Sequence, residues 1–396
     1  MSEPNHKLLK AILALTIASS SVAIQIFLPA LPAVQKYFDV SAPQVQLTVS
    51  LPLLSIAIGT LFWGVLSDRY GRRPMMICGL VMFLVGTLAC AVAPTIQTLI
   101  AGRLFQGFGG AACVVISRAI VGDIYGRERA AAALASLIAI MVLGPMMAPT
   151  IGGVLVDTMG WRGNFIFIAV FVACVLAFSA ARLTETNTNP MPLPNMLSLV
   201  EGYARLFRSP DFMAYALQSA FMISIFYVFL SAAPYAIITV MHYSATEYGL
   251  GFILSTVGYL AGNVAANRYS ERVGIDRMIV IGLAFGALST LASFVLLEAG
   301  LWNIYAVFIP VTFMGVANGM SIPNANAGAI SVYPELAGTA SGLLSFVQLS
   351  ISAVFAQIAG GVQDGTPNTL GIFMFVAAVL AVIAFYVPRL GTRVAS

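Results

Sequence analysis

Four charges crowd into six positions of an otherwise apolar chain: Asp68, Arg69, Arg72 and Arg73, inside the stretch Gly64–Pro74. A guanidinium presents a planar fork of N–H donors and a carboxylate accepts two of them, so these residue types make ion pairs. Gly64 and Gly71 permit close helix contact and a tight turn, and Asp68 can cap a helix start. Asp123 ends a later apolar run, which makes an Arg72–Asp123 pair a natural latch. The plainer alternative is a loop whose arginines only set orientation in a membrane.

A second set lies within apolar runs. Arg103 is followed one turn on by Gln106, then by Gly107, Gly109 and Gly110. A charge at the centre of a membrane helix costs about 2.5–3.5 kcal/mol on insertion scales. Such an arginine faces the protein interior and works there, unless it snorkels from near its helix end. Arg118 lies closer to an end, where snorkelling is easier; facing a cavity, it would favour an anionic or zwitterionic solute. Gly144, Pro145, Pro149, Gly152 and Gly153 give one helix two bends and a smooth packing face, suited to a hinge. Gln25, Phe226, Tyr227, Tyr259, Asn263, Asn318 and Gln348 offer amides and aromatics that suit an uncharged or weakly charged organic solute. Part of this set is expected to pack against other helices or lipid.

The chemistry of an enzyme is not visible. There is no zinc-type histidine pair and no phosphate-binding Gly-x-x-x-x-Gly-Lys, so no metal, cofactor or catalytic residue is expected. His6 falls in the N-terminal tail and His242 in a loop, and Cys78, Cys90, Cys113 and Cys174 read as small hydrophobes. None of the fifteen acidic residues sits mid-span, and Gln25, which cannot titrate, stands near the end of the first apolar run.

The elements that must carry these residues are membrane spans. The chain is 60% hydrophobic and 9% charged, with a mean hydropathy of +0.94; a soluble domain would carry roughly 25% charge. A spanning helix needs about 20 mostly apolar residues. Twelve such runs are predicted, at 8–30, 44–66, 75–93, 97–121, 131–154, 164–183, 212–239, 247–267, 277–297, 303–325, 337–360 and 369–388. The first is too long for a cleaved signal and reads as an uncleaved span. A polar, proline-rich stretch divides the runs into a bundle at 1–186, a central cytoplasmic loop at 187–210 and a bundle at 211–396. The fold class expected is all-α, two six-helix bundles, with both termini cytoplasmic. Placing the N-terminus inside leaves 15 of the 19 Lys and Arg on that side, Lys36 and Arg162 outside, and Arg103 and Arg118 embedded. The net charge of +4 is then a topology signal, and nucleic acid is not expected as a partner.

Gly64–Pro74 resembles the loop signature of the major facilitator superfamily between its second and third helices. Asn267–Arg272 is a faded echo of it in the second half, as a duplicated unit would leave. The helix around Arg103 is similar to the superfamily's helix-four motif, whose arginine is associated with proton coupling. Gly144–Gly153 is similar to its antiporter motif, with Ala148 in place of a glycine. Gln25–Pro32, Asp123–Tyr125 and Tyr333–Ala340 resemble the bicyclomycin-resistance (Bcr/CflA) group of drug:proton antiporters. The resemblance implies alternating access, a charged loop that holds the halves together in the outward-open state, and efflux of small amphipathic drugs coupled to protons, with Arg103 and Asp123 as coupling candidates. It further implies a multi-pass protein of the bacterial inner membrane, working as a monomer in the lipid bilayer. Two departures stand out. Relatives commonly carry an aspartate where Gln25 stands, and often an arginine where Gly122 stands. The alternative is an importer or facilitator of an organic anion, such as a siderophore or carboxylate, without proton antiport.

Overall fold

The computed structural model describes residues 3–187, 196–362 and 364–394, with side chains at 3–8, 10, 125–143, 146, 196–200 and 390–394 left aside. Long apolar runs must satisfy their backbone groups internally, and helices do so within one segment. Among the described residues thirteen α-helices result: α1 (Glu3–Gln25), α2 (Leu31–Phe38), α3 (Ala42–Tyr70), α4 (Arg72–Ala91), α5 (Ile96–Met159), α6 (Arg162–Arg182), α7 (Met196–Phe207), α8 (Pro210–Pro234), α9 (Ala245–Val273), α10 (Ile275–Glu298), α11 (Ile304–Ser331), α12 (Ala337–Gly361) and α13 (Asn368–Val394). Eleven stretches among the described residues are long and apolar enough to cross a membrane.

Two differences from the expected runs have local causes. The runs at 97–121 and 131–154 share one helix, α5, without a break between them. Their junction reads Arg127-Glu128-Arg129 followed by four alanines, all strong helix formers, and no proline comes before Pro145. The expected run at 131–154 lies largely outside the described side chains. The stretch expected as a central loop contains α7, which buries Leu206 and touches α8 and α12.

The chain divides into two compact units, Met1–Val40 with Leu47–Pro194, and Ser41–Gln46 with Asn195–Ser396. In the first, α5 packs against α1 and α4, and α6 against α4 and α1. Small residues let α4 and α5 meet backbone to backbone: a Cβ on Gly109 would lie 2.5 Å from the Gly79 carbonyl oxygen. In the second, α11 packs on α9 and α10, and α8 on α12 and α13. Ser209 caps α8 by accepting from the Phe212 N–H, with Pro210 at the first helical position.

Candidate functional site

The corner between α3 and α4 is made by Gly71, whose φ of 99° is open to glycine and strained for other residues. That turn brings Arg72 back over the end of α3. Its guanidinium pairs with Asp68, donates to the Ser67 hydroxyl at 2.8 Å, and reaches Asp123 on α5 through Nε at 3.0 Å. The Arg72 side chain is 11% exposed, so three helices converge on one largely buried cation. Arg69 is exposed and outside this network, and a Cβ on Gly64 would meet Val115 at an ordinary 3.6 Å.

Sequence reasoning missed what completes the corner. Glu185, just beyond α6, accepts backbone N–H groups from Arg72 at 2.9 Å, Arg73 at 3.1 Å, Thr186 at 2.9 Å and Asn187 at 2.8 Å. A carboxylate thus seats on the N-terminus of α4, where exposed N–H groups and the helix dipole favour an anion. Burial pushes its carboxyl up, but the four N–H groups outweigh burial and hold it below the usual carboxylate range. Thr186 donates to Asp123 at 3.1 Å, Asn187 to the Asp68 carbonyl at 2.7 Å, and Arg73 to the Ala180 carbonyl at 2.9 Å. The only sequence cue is an acid immediately after a span; its partner lies 113 residues away.

Arg103 lies deep in the first unit, 1% exposed. It donates to the carbonyls of Thr48 (3.0 Å) and Ala23 (3.1 Å) and to the Gln106 side-chain oxygen, and stacks over Phe27 at 4.8 Å. Gln106 passes the chain on to the Thr87 hydroxyl at 2.9 Å. This arginine does not snorkel. Arg118 is exposed on α5 and makes no hydrogen bond or ion pair with a described residue.

The α5 prolines, Pro145 and Pro149, both lie inside the helix. Beside them α5 runs against α1: a Cβ on Gly152 would come within 2.0 Å of the Ile26 carbonyl oxygen, and one on Gly144 within 3.2 Å of Val22. Gly153 is buried one residue on. The Ile26 carbonyl also takes a hydrogen bond from Asn164 of α6 at 2.8 Å. Gln25 ends α1, its side-chain oxygen buried without a partner.

In the second unit the candidate solute residues fall into three places. Phe226 and Tyr227 meet edge to face at 5.9 Å, beside Phe252. Tyr259 and Asn263 border Gly319, next to the buried Asn318. Gln348 donates to Ser219 at 2.9 Å and Asn326 at 2.8 Å. Gly274 opens α10 with a φ of 91° and ψ of 149°, nearly the backbone of Gly71 before α4, with its φ of 99° and ψ of 149°. The structural echo of the charged corner is therefore this glycine turn. Nearby, Arg389 pairs with Asp276 at 3.3 Å and stacks on Tyr215 and Phe385, a cluster the sequence reading did not single out.

Comparison with known proteins follows the same lines. A family model described as Major Facilitator Superfamily matches residues 13–357 and, again, 226–395. The chain is 27% identical to the bicyclomycin resistance protein homolog of Haemophilus influenzae, over 92% of this chain and 91% of that one. It is 28% identical to multidrug resistance protein D of Escherichia coli, over 94% and 93%. Among solved structures, a bacterial homologue of the human lysosomal transporter Spinster, inward-facing and occupied, has a TM-score of 0.77 at 16% identity, covering 99% of this chain and 98% of that one. A D-xylose-proton symporter has a TM-score of 0.79 at 14% identity, covering 94% and 96%. At such identities the structures speak to the fold alone. The family match runs over most of the chain, and the protein belongs to the Major Facilitator Superfamily, as a multi-span transporter of bacterial inner-membrane type and not an enzyme.

Proposed function

We propose that the protein exports small amphipathic organic molecules, using a proton gradient, by alternating access between two six-helix halves. The observation that carries this reading is the seam between α1 and α5, where Gly144 sits against α1 and Gly152 against Ile26 just past its end, on either side of the two prolines inside α5. A seam of that kind lets one helix rock against another without side chains to clear. Relatives named for bicyclomycin and multidrug resistance, similar over more than nine-tenths of the chain, point to export. In this reading 131–154 supplies a twelfth span, both termini are cytoplasmic, and the chain works as a monomer.

The Arg72–Asp68–Asp123 cluster, with Glu185 beneath it, acts as the latch at one face of the cycle. Arg103 and Asp123 are the groups proposed to feel the proton, because no carboxylate lies mid-span. Phe226, Tyr227, Tyr259, Asn263, Asn318, Gln348, Gln25 and Arg118 are the residues proposed to contact the solute. Gln25 favours a second reading. An amide in place of a titrating acid suits a facilitator or importer of an organic anion, with Arg118 as a cation for it.

Growth separates the two. Cells overproducing the protein should tolerate higher concentrations of amphipathic toxic compounds than cells carrying Asp123→Asn. Unchanged tolerance across a broad panel, together with improved growth on a carboxylate or siderophore, would favour the second reading.

A further inference from the structure

Arg103 carries its charge in the interior of the first unit, and no described residue within reach neutralises it. Its described partners are two backbone carbonyls, one amide oxygen and the face of Phe27, all formally neutral. Nη2 is buried with no partner among the described residues. The Cys90 thiol is turned to the Leu99 carbonyl, to which it donates.

The placement of the acidic residues makes the imbalance general. The first unit has seven: Glu3, Asp39, Asp68, Asp123, Glu128, Asp157 and Glu185. Arg103 touches α1 at Ala23, α3 at Thr48 and its own helix. On each helix the acid lies twenty residues away, at Glu3, Asp68 and Asp123, or about 30 Å along the axis. Glu128 is further along α5, and Glu185 is bound at the Arg72 corner. Asp39 and Asp157 are exposed. Burying an uncompensated ion is strongly unfavourable even after relaxation, so buried charges are paired.

A small cavity adjoins the guanidinium, lined by Arg103, Gln106, Ser20, Ile24, Pro52 and Ile56 among others. The space open to the centre of a water-sized sphere is about 10 Å³, room for one such occupant. A water there would satisfy Nη2 without balancing the charge. The smallest occupant that would balance it is a monatomic anion.

We propose that this cavity is a site for one monatomic anion of chloride size, held by Arg103 Nη2 as the counter-ion of the buried guanidinium. The anion stands where an internal carboxylate would otherwise be needed. This inference does not depend on the transported solute or on its direction of movement.

The test uses purified full-length protein and chloride as the probe. Binding of radiolabelled chloride should saturate at one ion per chain, with displacement by bromide and none by sulfate or gluconate. The unfolding midpoint should be higher in sodium chloride than in sodium gluconate at equal ionic strength. Arg103→Gln should lose both effects, and Ile56→Phe, which fills the cavity while keeping the cation, should lose the binding. Absence of saturable chloride binding to the wild-type protein overturns the proposal, and needs no variant to fold. So does a chloride-dependent midpoint that persists in Arg103→Gln.

Discussion

At the scale of single residues, the charged corner is a set of graded contacts. Asp68 is 45% exposed and Asp123 26%, so water screens both partners of Arg72, and each pair contributes about 1 kcal/mol or less to stability. Their weight falls on the cycle instead, since a bias of about 1.4 kcal/mol between two states is tenfold in population. Arg72→Asp and Asp123→Arg should each lose most transport, and the double exchange should regain part of it. No recovery at all in a transport assay would count against the pairing. Glu185 makes a second prediction. Its carboxyl titrates lower in the folded protein than in the unfolded chain, so its stabilisation is complete above the unfolded value and is lost as pH falls through the folded one. Glu185→Gln should lower stability by about 1 kcal/mol at neutral pH, as loss of a charged helix cap does. Thermal unfolding of both proteins across acid pH should show that gap closing. A gap that stays constant to low pH would deny the carboxylate its role.

At the scale of elements, glycine spacing decides how close the helices come. Alanine is favoured over glycine within a helix by about 1 kcal/mol, so a glycine whose replacement destabilises is holding a contact. On α5, a Cβ at Gly152 strikes the Ile26 carbonyl at 2.0 Å, whereas one at Gly122 meets nothing within 4 Å. Gly152→Ala should therefore destabilise by about 1–3 kcal/mol through overpacking. Gly122→Ala should be neutral or mildly stabilising in the same unfolding assay, and equal effects at both sites would remove the seam from the explanation. Much at this scale was legible in the sequence. The apolar runs gave the helices, because a chain with 9% charge leaves few other places for its backbone. The Arg72–Asp123 pair was readable because its charges are conspicuous against an apolar background. Glu185 was not, because an acid after a span has no local pattern that names a partner 113 residues away. The continuity of α5 was missed because Arg127–Arg129 read as a loop on charge, although those residues are good helix formers. The burial of Arg103 was foreseen from cost alone, but its lack of a counter-charge needed three helices in place.

At the scale of the whole molecule, the two units carry different chemistry. The first holds the charged corner, the buried arginine and the α1–α5 seam; the second holds the Arg389–Asp276 pair together with neutral amides, hydroxyls and aromatics such as Gln348, Ser219 and Phe226. A similar glycine turn stands at Gly71 and at Gly274, each with an ion pair beside it, Arg72 with Asp68 at the first and Arg389 with Asp276 at the second. Energy input is then expected from the first unit and solute recognition largely from the second. Exchanging Gln348 for Ala should alter which compounds are carried while leaving gradient dependence intact, as read by transport competition against a panel of solutes. The most direct measurement is transport by the purified protein in liposomes, with and without an imposed proton gradient. Uphill movement of an amphipathic solute, present with the gradient and abolished by its collapse, is the expected result. A solute that only equilibrates, at the same rate with or without the gradient, would contradict proton-driven export and make the protein a facilitator.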